Sequence, residues 1–371
     1  MPTIAEHMLS PGVTIDEHVR RSQISLGQAL AKRRAIYLDT KYWILLRTAD
    51  RNSGSAKAVE LLGLLRKGVA AGILFCPVSE SVFVELMKQS DPASRLMTAT
   101  LIDELSLGAT LVEQDTRLAT EIAHFMYSNS GRNNLHPLEH LVWCKLSYVL
   151  GFLHPTKTAF DPATEVAIQK AFFDHMWTVS LRKMVTTIGD GDVPRTDMSD
   201  IATMLNAGVA ANADELRSFE QAYSAEVRGI IDLAGGTAID IVAFMALESG
   251  VASGEPSPEQ RRTIENQFKN LFAIALERDR AQDALRTMHI LASLHASLRW
   301  NKRRKFRGND LFDFNHAAAA LAYCDAFFTE RSLRTMVTQQ HIALDKLYGC
   351  HVAAEIDEAT AYVRDLGGCP A

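Results

Sequence analysis

Cysteine is scarce: five residues, at positions 76, 144, 324, 350 and 369, with no C-x-x-C spacing. That excludes a disulfide framework and a cysteine-built zinc site, and it points to a reducing compartment. Long apolar runs are also missing, and none approaches the roughly 20 residues that a membrane span needs, so no membrane is expected. The first twenty residues carry Glu6, Asp16, Glu17 and Arg20 and lack an apolar h-region, so no signal peptide is expected and the cytoplasm is the expected location. An excess of positive charge is lacking too. With a net charge of −5, any grip on nucleic acid must come from a local patch. No internal repeat or low-complexity segment stands out. What remains is a chain of 371 residues, 47% hydrophobic and 22% charged, the balance of a soluble globular protein with room for two or three domains.

Residues 1–30 are polar, and the spacing predicts a helix from about Thr14 to Ala31. The run 35–39 is β-rich and ends in Asp39. Helical periodicity follows over 41–49 and 55–70, where Val59, Leu62, Leu65 and Val69 recur at three and four. "GILFCPVS" (72–79) reads as a second buried strand and "SESVFVELMKQ" (79–89) as a helix capped by Ser79. "ATLVEQ" (109–114) reads as a third strand and 115–126 as a further helix. This alternation predicts βαβ units and a parallel sheet. From 127 to about 300 the pattern becomes helical, including "HLVWCKLSYVLGFL", with turns at "GDGDVPRTD" (189–197) and "SGEPSPEQ" (253–260). Strand character returns in "AFFTE" (326–330) and "TMVTQ" (335–339). The expected organisation is an N-terminal extension (1–30), an α/β domain in two parts (31–126 and 301–371), and an all-helical insertion between them (127–300).

Asp39 ends a strand that is otherwise apolar, at the edge of an open α/β sheet where ligands bind. Glu85 lies in the helix after the second strand, with Glu80 as its rival. Asp310 and Asp313 stand three apart at the start of a late helix and so share a face. Asp325 and Glu330 flank the short run after that helix. A parallel sheet gathers its strand ends at one edge, and carboxylates converging there repel unless a hard cation neutralises them. Mg²⁺ or Mn²⁺ is the expected ion. Such sites hydrolyse phosphodiesters by activating water and stabilising the leaving oxygen.

Through "YLDTKYW", "PVSESVFVELMKQ" and "DFNHAAAALAYCDAFFTER" the sequence resembles the PIN-domain ribonucleases, among them toxins of bacterial toxin–antitoxin pairs. The resemblance covers about 40–126 and 308–357. It implies a PIN-like central parallel sheet flanked by helices, with three or four acids holding divalent metal. Asp39, Glu85 and Asp313 match the first three acids. The fourth is Asp325 or Glu330, a Glu here where Asp is usual. The resemblance implies an endoribonuclease with a toxin or defence-type role, acting on single-stranded or structured RNA, such as tRNA. It also implies an antitoxin or other protein partner, and self-association into a homo-oligomer. The helical insertion of some 180 residues departs from the family pattern. A structure-specific DNA nuclease using the same acids, or a catalytically weak PIN-like binding module, are the alternative functions.

"RWNKRRKFR" (299–307) places six Lys or Arg in nine positions, with Trp300 and Phe306 among them. Just ahead of Asp310 and Asp313, Lys302, Arg303, Arg304, Lys305 and Arg307 are the expected phosphate contacts, and the aromatics the expected stacking faces. An ordinary solvated helix end accounts for the run equally well. Asp310 is equally an N-cap. "HPLEH" (136–140) matches a zinc-peptidase pattern, but Pro137 confines it to a first helical turn. His316, one turn past Asp313, reads as a core residue or a support for the acids.

Overall fold

The computed structural model describes residues 2–368, apart from 52, 133–134, 190–197, 212–217, 253, 279–280 and 302–303. The chain opens with α1 (Ile4–Met8) and α2 (Ile15–Leu30). It then alternates through β1 (Arg34–Leu38), α3 (Thr40–Asp50), α4 (Ala56–Ala70), β2 (Leu74–Phe75), α5 (Glu80–Met87), α6 (Pro92–Ser106), β3 (Ala109–Leu111) and α7 (Gln114–Ser128). A 3₁₀ turn, Leu138–His140, leads to β4 (Trp143–Lys145). Helices α8 (Pro162–Met176), α9 (Leu181–Ile188), α10 (Ser199–Ala211), α11 (Phe219–Glu248), α12 (Pro258–Glu277) and α13 (Arg286–Trp300) follow. The chain closes with α14 (Gly308–Tyr323), β5 (Ala326–Phe328), α15 (Arg331–Val337), α16 (Leu344–Leu347), β6 (His351–Ala353) and α17 (Ile356–Gly368).

The main sheet has four parallel strands in the order β2-β1-β5-β6, so it is assembled from both ends of the chain. Ile36, Tyr37 and Leu38 of β1 have no exposed surface. Helices cover both faces, which is why the strand reads as an unbroken apolar run instead of alternating. Helix starts follow local chemistry: the Thr14 hydroxyl accepts from Glu17 N at 3.2 Å, and the Ser55 hydroxyl from Ala58 N at 3.2 Å.

Several expectations are corrected. β3 lies outside the main sheet: it pairs antiparallel with β4 and forms an isolated bridge from Thr110 to Val78, while Ala109 and Leu111 pack into the core around the sheet. Its partner, "WCK", was expected to be helical. A short apolar run fits either period, and here Trp143 and Cys144 are buried against β3 and Phe75. "TMVTQ", expected as a strand, falls in and just after α15, where Thr335 donates back to Arg331 O at 2.7 Å. β6, three residues long, carries too little pattern to read. A long apolar helix also exists: α11 has a mean hydropathy of 1.8 over 18 residues, enough by length and composition to cross a membrane. One face of it, including Val227, Ile231 and Ala238, packs with Phe268 and Phe272 of α12.

The helical segment is joined to the sheet. Ile290, Leu291, Leu294 and Leu298 of α13 belong to the core around the sheet, and Met288 and Ala292 of the same helix to the core of α11 and α12. α13 is therefore buried almost all round, which makes it the shared wall of two cores. α1 and α2 lie against α8.

Candidate active site

From β1 the chain leaves to one side to form β2, and it returns on the other side as β5. The crevice between the C-terminal ends of β1 and β5 is thus the switch point of the sheet, where open α/β sheets bind ligands. Asp39 stands in it. Its N–H donates to Phe328 O at 3.0 Å, and its Oδ1 accepts from Tyr42 N at 3.1 Å, capping α3. The neighbouring Thr329 side chain, 1% exposed, bonds to it.

Two other elements bring chemistry to this edge. α5 supplies Glu85, and α14 supplies Asp313 and His316, three apart on one face. Ala317–Ala320 of α14 are fully buried, and their small side chains let the helix lie close to the sheet. His316, 2% exposed, is the hub. Its Nδ1 meets Tyr37 Oη at 2.7 Å and its Nε2 meets Glu85 Oε2 at 3.0 Å. Tyr37 Oη also meets Ser79 Oγ at 2.6 Å, and Thr40 Oγ1 donates to Glu85 Oε2. As an imidazolium His316 donates from both nitrogens, so Tyr37 accepts from it and gives its own proton to Ser79.

Burial pushes the Asp39 carboxyl up to about 6; the His316 charge and the bonds from Tyr42 N and Thr329 oppose this, and Glu330 adds to it. Burial pushes Asp313 up to about 7, with His316 again opposing and Glu330, Asp310 and Glu85 adding repulsion. For Glu85, burial acts upward, but the His316 and Thr40 bonds outweigh it and leave the carboxyl below its ordinary value. Burial acts downward on His316, and its Glu85 pair, with Asp39 and Asp313, more than reverses that. Against several carboxylates the edge sets the His316 cation, with Lys88 acting on Glu85 as well.

The remaining candidates divide. Glu330 follows β5 at the same end, exposed, at the N-cap of α15. Asp325 is a correction: it precedes β5 and lies at the opposite end of the sheet. There it accepts from Arg34 Nη1 at 2.6 Å and from Ala35 N at 2.8 Å. Four extended steps along the chain, about 13 Å, separate it from Thr329. Glu80 faces Arg117 at 3.8 Å instead of the acids. Asp310, 4% exposed, is not the N-cap: Arg307 holds that position, and Asp310, in the first turn of α14, reaches back to accept from Arg307 N at 2.8 Å and from Arg304. Within the basic run, Lys305 and Arg307 are exposed, Arg304 is committed to Asp310, and Lys302 and Arg303 lie outside the described residues. Phe306 offers no stacking face: it is 5% exposed and packs on His295 and Phe314. Trp300 is 41% exposed. "HPLEH" does not form a helical zinc pair: His136 precedes the short 3₁₀ turn, and Glu139 pairs with Arg286 at 2.8 Å.

Tyr37 and Thr40 are not marked by the sequence, Thr329 is marked only as the residue before Glu330, and Ser79 is read as a cap, whereas its hydroxyl makes no cap bond to α5 and meets Tyr37 instead. The only signal of their role here is adjacency to an acid or to a strand end. No protein-family model, curated protein or solved structure matches this chain.

Proposed function

We propose that the C-terminal edge of the main sheet hydrolyses phosphodiester bonds with a divalent ion, that the substrate is RNA, and that the α/β core is PIN-like. One observation carries the reading: three chain segments deliver Asp39, Glu85 and Asp313 to the switch point, and burial and like charge push both aspartates toward neutrality. A cation supplies the positive charge that this edge lacks. The oxygens of these three acids do not close into a trio within 4.8 Å among the described residues. Hydrated Mg²⁺ or Mn²⁺, which keeps several waters, suits that spacing. Asp39, Asp313 and Glu85 would hold it, with Glu330 beside them, and the bound ion makes its water a nucleophile near neutral pH. The chain's own contributions are clear. His316 and Thr40 hold Glu85 in one orientation, and Tyr37 and Ser79 hold His316. Lys305 and Arg307 are exposed beside the start of α14, where they can track phosphates.

The test incubates the purified full chain with end-labelled single-stranded RNA, structured RNA and DNA of matched sequence, with Mn²⁺ or with a chelator. Expected is RNA cleavage that needs the metal and is lost in Asp39→Asn and Asp313→Asn. Preference for DNA overturns the substrate. Folded protein with no cleavage and no metal binding overturns the reading and leaves a buried His–carboxylate network as structure alone.

A further inference from the structure

A second cluster lies away from the sheet edge, where the N-terminal helices meet α8. Lys170, 1% exposed, donates from Nζ to Ser10 O at 3.0 Å and Val13 O at 3.1 Å, which fastens the link between α1 and α2. One turn on, Asp174 takes both histidines of that segment. Its Oδ2 lies 2.8 Å from His7 Nε2 and its Oδ1 lies 2.7 Å from His18 Nε2. The imidazoles meet edge to face, centroids 5.2 Å apart. Among the described residues this is the one trio of His, Cys, Asp or Glu donor atoms lying within 4.8 Å of one another. The side chains are 11%, 21% and 15% exposed for His7, His18 and Asp174, so the cluster is sheltered yet reachable by water.

Phe173, whose ring lies 5.5 Å from that of His18, leads to two further polar groups. Tyr148, 2% exposed, stacks on Phe173, and its hydroxyl is buried without a hydrogen-bond partner. Burial, then the charge of Asp174, pushes that hydroxyl well up, so it stays a neutral donor close to the carboxylate. His154, whose ring lies 6.3 Å from Tyr148, has a buried Nδ1 that is likewise unpartnered. Buried polar atoms left without a protein partner call for one that the chain itself does not supply.

We propose that His7, His18 and Asp174 bind one divalent transition-metal ion of the Zn²⁺ class, joining α1 and α2 to α8 and leaving one coordination position to water. Two imidazoles and a carboxylate are a borderline-soft donor set that selects Zn²⁺ over Mg²⁺. Each histidine must present a bare Nε2 lone pair, with its proton carried on Nδ1. The competing account is a simple His–Asp–His hydrogen-bond bridge. Glutamine separates the two, since its amide can replace an imidazole hydrogen bond but is a poor ligand for this ion.

The proposal does not rest on the nuclease reading. The experiment uses tag-free, metal-stripped full chain carrying Asp313→Asn, so that the sheet edge contributes little. Zn²⁺ is titrated by calorimetry, and Co²⁺ is followed by its visible ligand-field bands. Expected is one equivalent bound, with affinity falling at least ~10-fold in His18→Gln and in Asp174→Asn, and with the Co²⁺ bands lost. Zn²⁺ should also slow proteolysis within residues 1–30. No binding, or binding that survives both substitutions, overturns the proposal. If Asp174→Asn fails to fold by circular dichroism, the Co²⁺ spectrum of His7→Gln decides.

Discussion

Asp39 and Asp325 bracket the same pair of parallel strands. Each is an acid beside an apolar run, and each takes a backbone N–H. Asp325 sits where β5 begins and is matched by the Arg34 guanidinium. Asp39 sits where β1 ends, buried, with the Glu330 charge acting on it, and it shares the His316 charge with Asp313 and Glu85. The difference is strand direction. Parallel strands put all their C-terminal ends on one side, so Asp325 before β5 and Glu330 after it, five positions apart, belong to unlike environments. A carboxylate near a strand says little until the direction of the strand is known.

Breaking the proposed catalytic edge and sparing the other should give the largest contrast. Asp39→Asn and Asp313→Asn are expected to lower metal-dependent cleavage at least ~100-fold, more than the loss of a supporting partner. Asp325→Asn is expected to keep cleavage within about threefold and to cost no more than about 1 kcal/mol, because Arg34 is largely exposed and the pair is screened. Initial rates and urea midpoints on the three variants check this. Equal loss of activity from Asp325→Asn would erase the distinction between the edges.

Next in size is the buried cation. His316→Leu removes the partner of Glu85 and of Tyr37 at once, and leaves a carboxylate facing a desolvated site. A cost of about 3 kcal/mol is expected in urea unfolding. A change under about 1 kcal/mol would show that the histidine is neutral in the fold.

The pH response sharpens the contrast. Asp39 and Asp313 hold their protons more tightly folded, at about 6 and about 7, than unfolded, at 3.8. Between those values the native state binds more protons, so stability falls as pH rises from about 4 to about 7. For Asp39 alone the upper bound is about 3 kcal/mol. His316, raised above 6.5, acts in the same sense: its contribution is full below that value and is lost as pH rises through its folded pKa. Glu85, lowered below 4.5, acts oppositely, and only at the acid end. The chelated protein should therefore melt at higher temperature near pH 5 than near pH 7.5. Mn²⁺ should restore most of the loss at the higher pH, and Asp313→Asn should flatten the profile. A chelated protein that is more stable at pH 7.5 would contradict the electrostatics assigned to this edge.

The smallest effect belongs to the basic run. Lys305→Ala and Arg307→Ala should each reduce the log–log salt slope of RNA binding by about 0.7. Arg304→Ala should change it less, because that guanidinium already serves Asp310. Fluorescence anisotropy across a salt series reads the three slopes, and a larger change at Arg304 would reverse the assignment.

Much of the scaffold was legible. The helix from Thr14, the buried run ending at Asp39 and the sheet shared by both chain ends follow from caps and periodicity, which are local. "WCK" and "TMVTQ" were misread because three to five apolar or β-branched residues suit either period. The N-terminal His–Asp–His cluster left no trace, since Asp174 lies 167 residues from His7 and 156 from His18 and only α8 brings it to them.

The sequence by itself determined that acids would stand near strand ends and that an apolar core would cover both faces of a parallel sheet. Those are consequences of side-chain chemistry within a few residues. Only the tertiary structure decided which acids meet. It turned Asp325 to the Arg34 end, bound Asp310 to the Arg307 N–H and the Arg304 guanidinium, and seated His316 between Tyr37 and Glu85. The reason is physical: charge acts through space over a few ångströms, and distance in space is set by strand direction and helix packing rather than by separation along the chain.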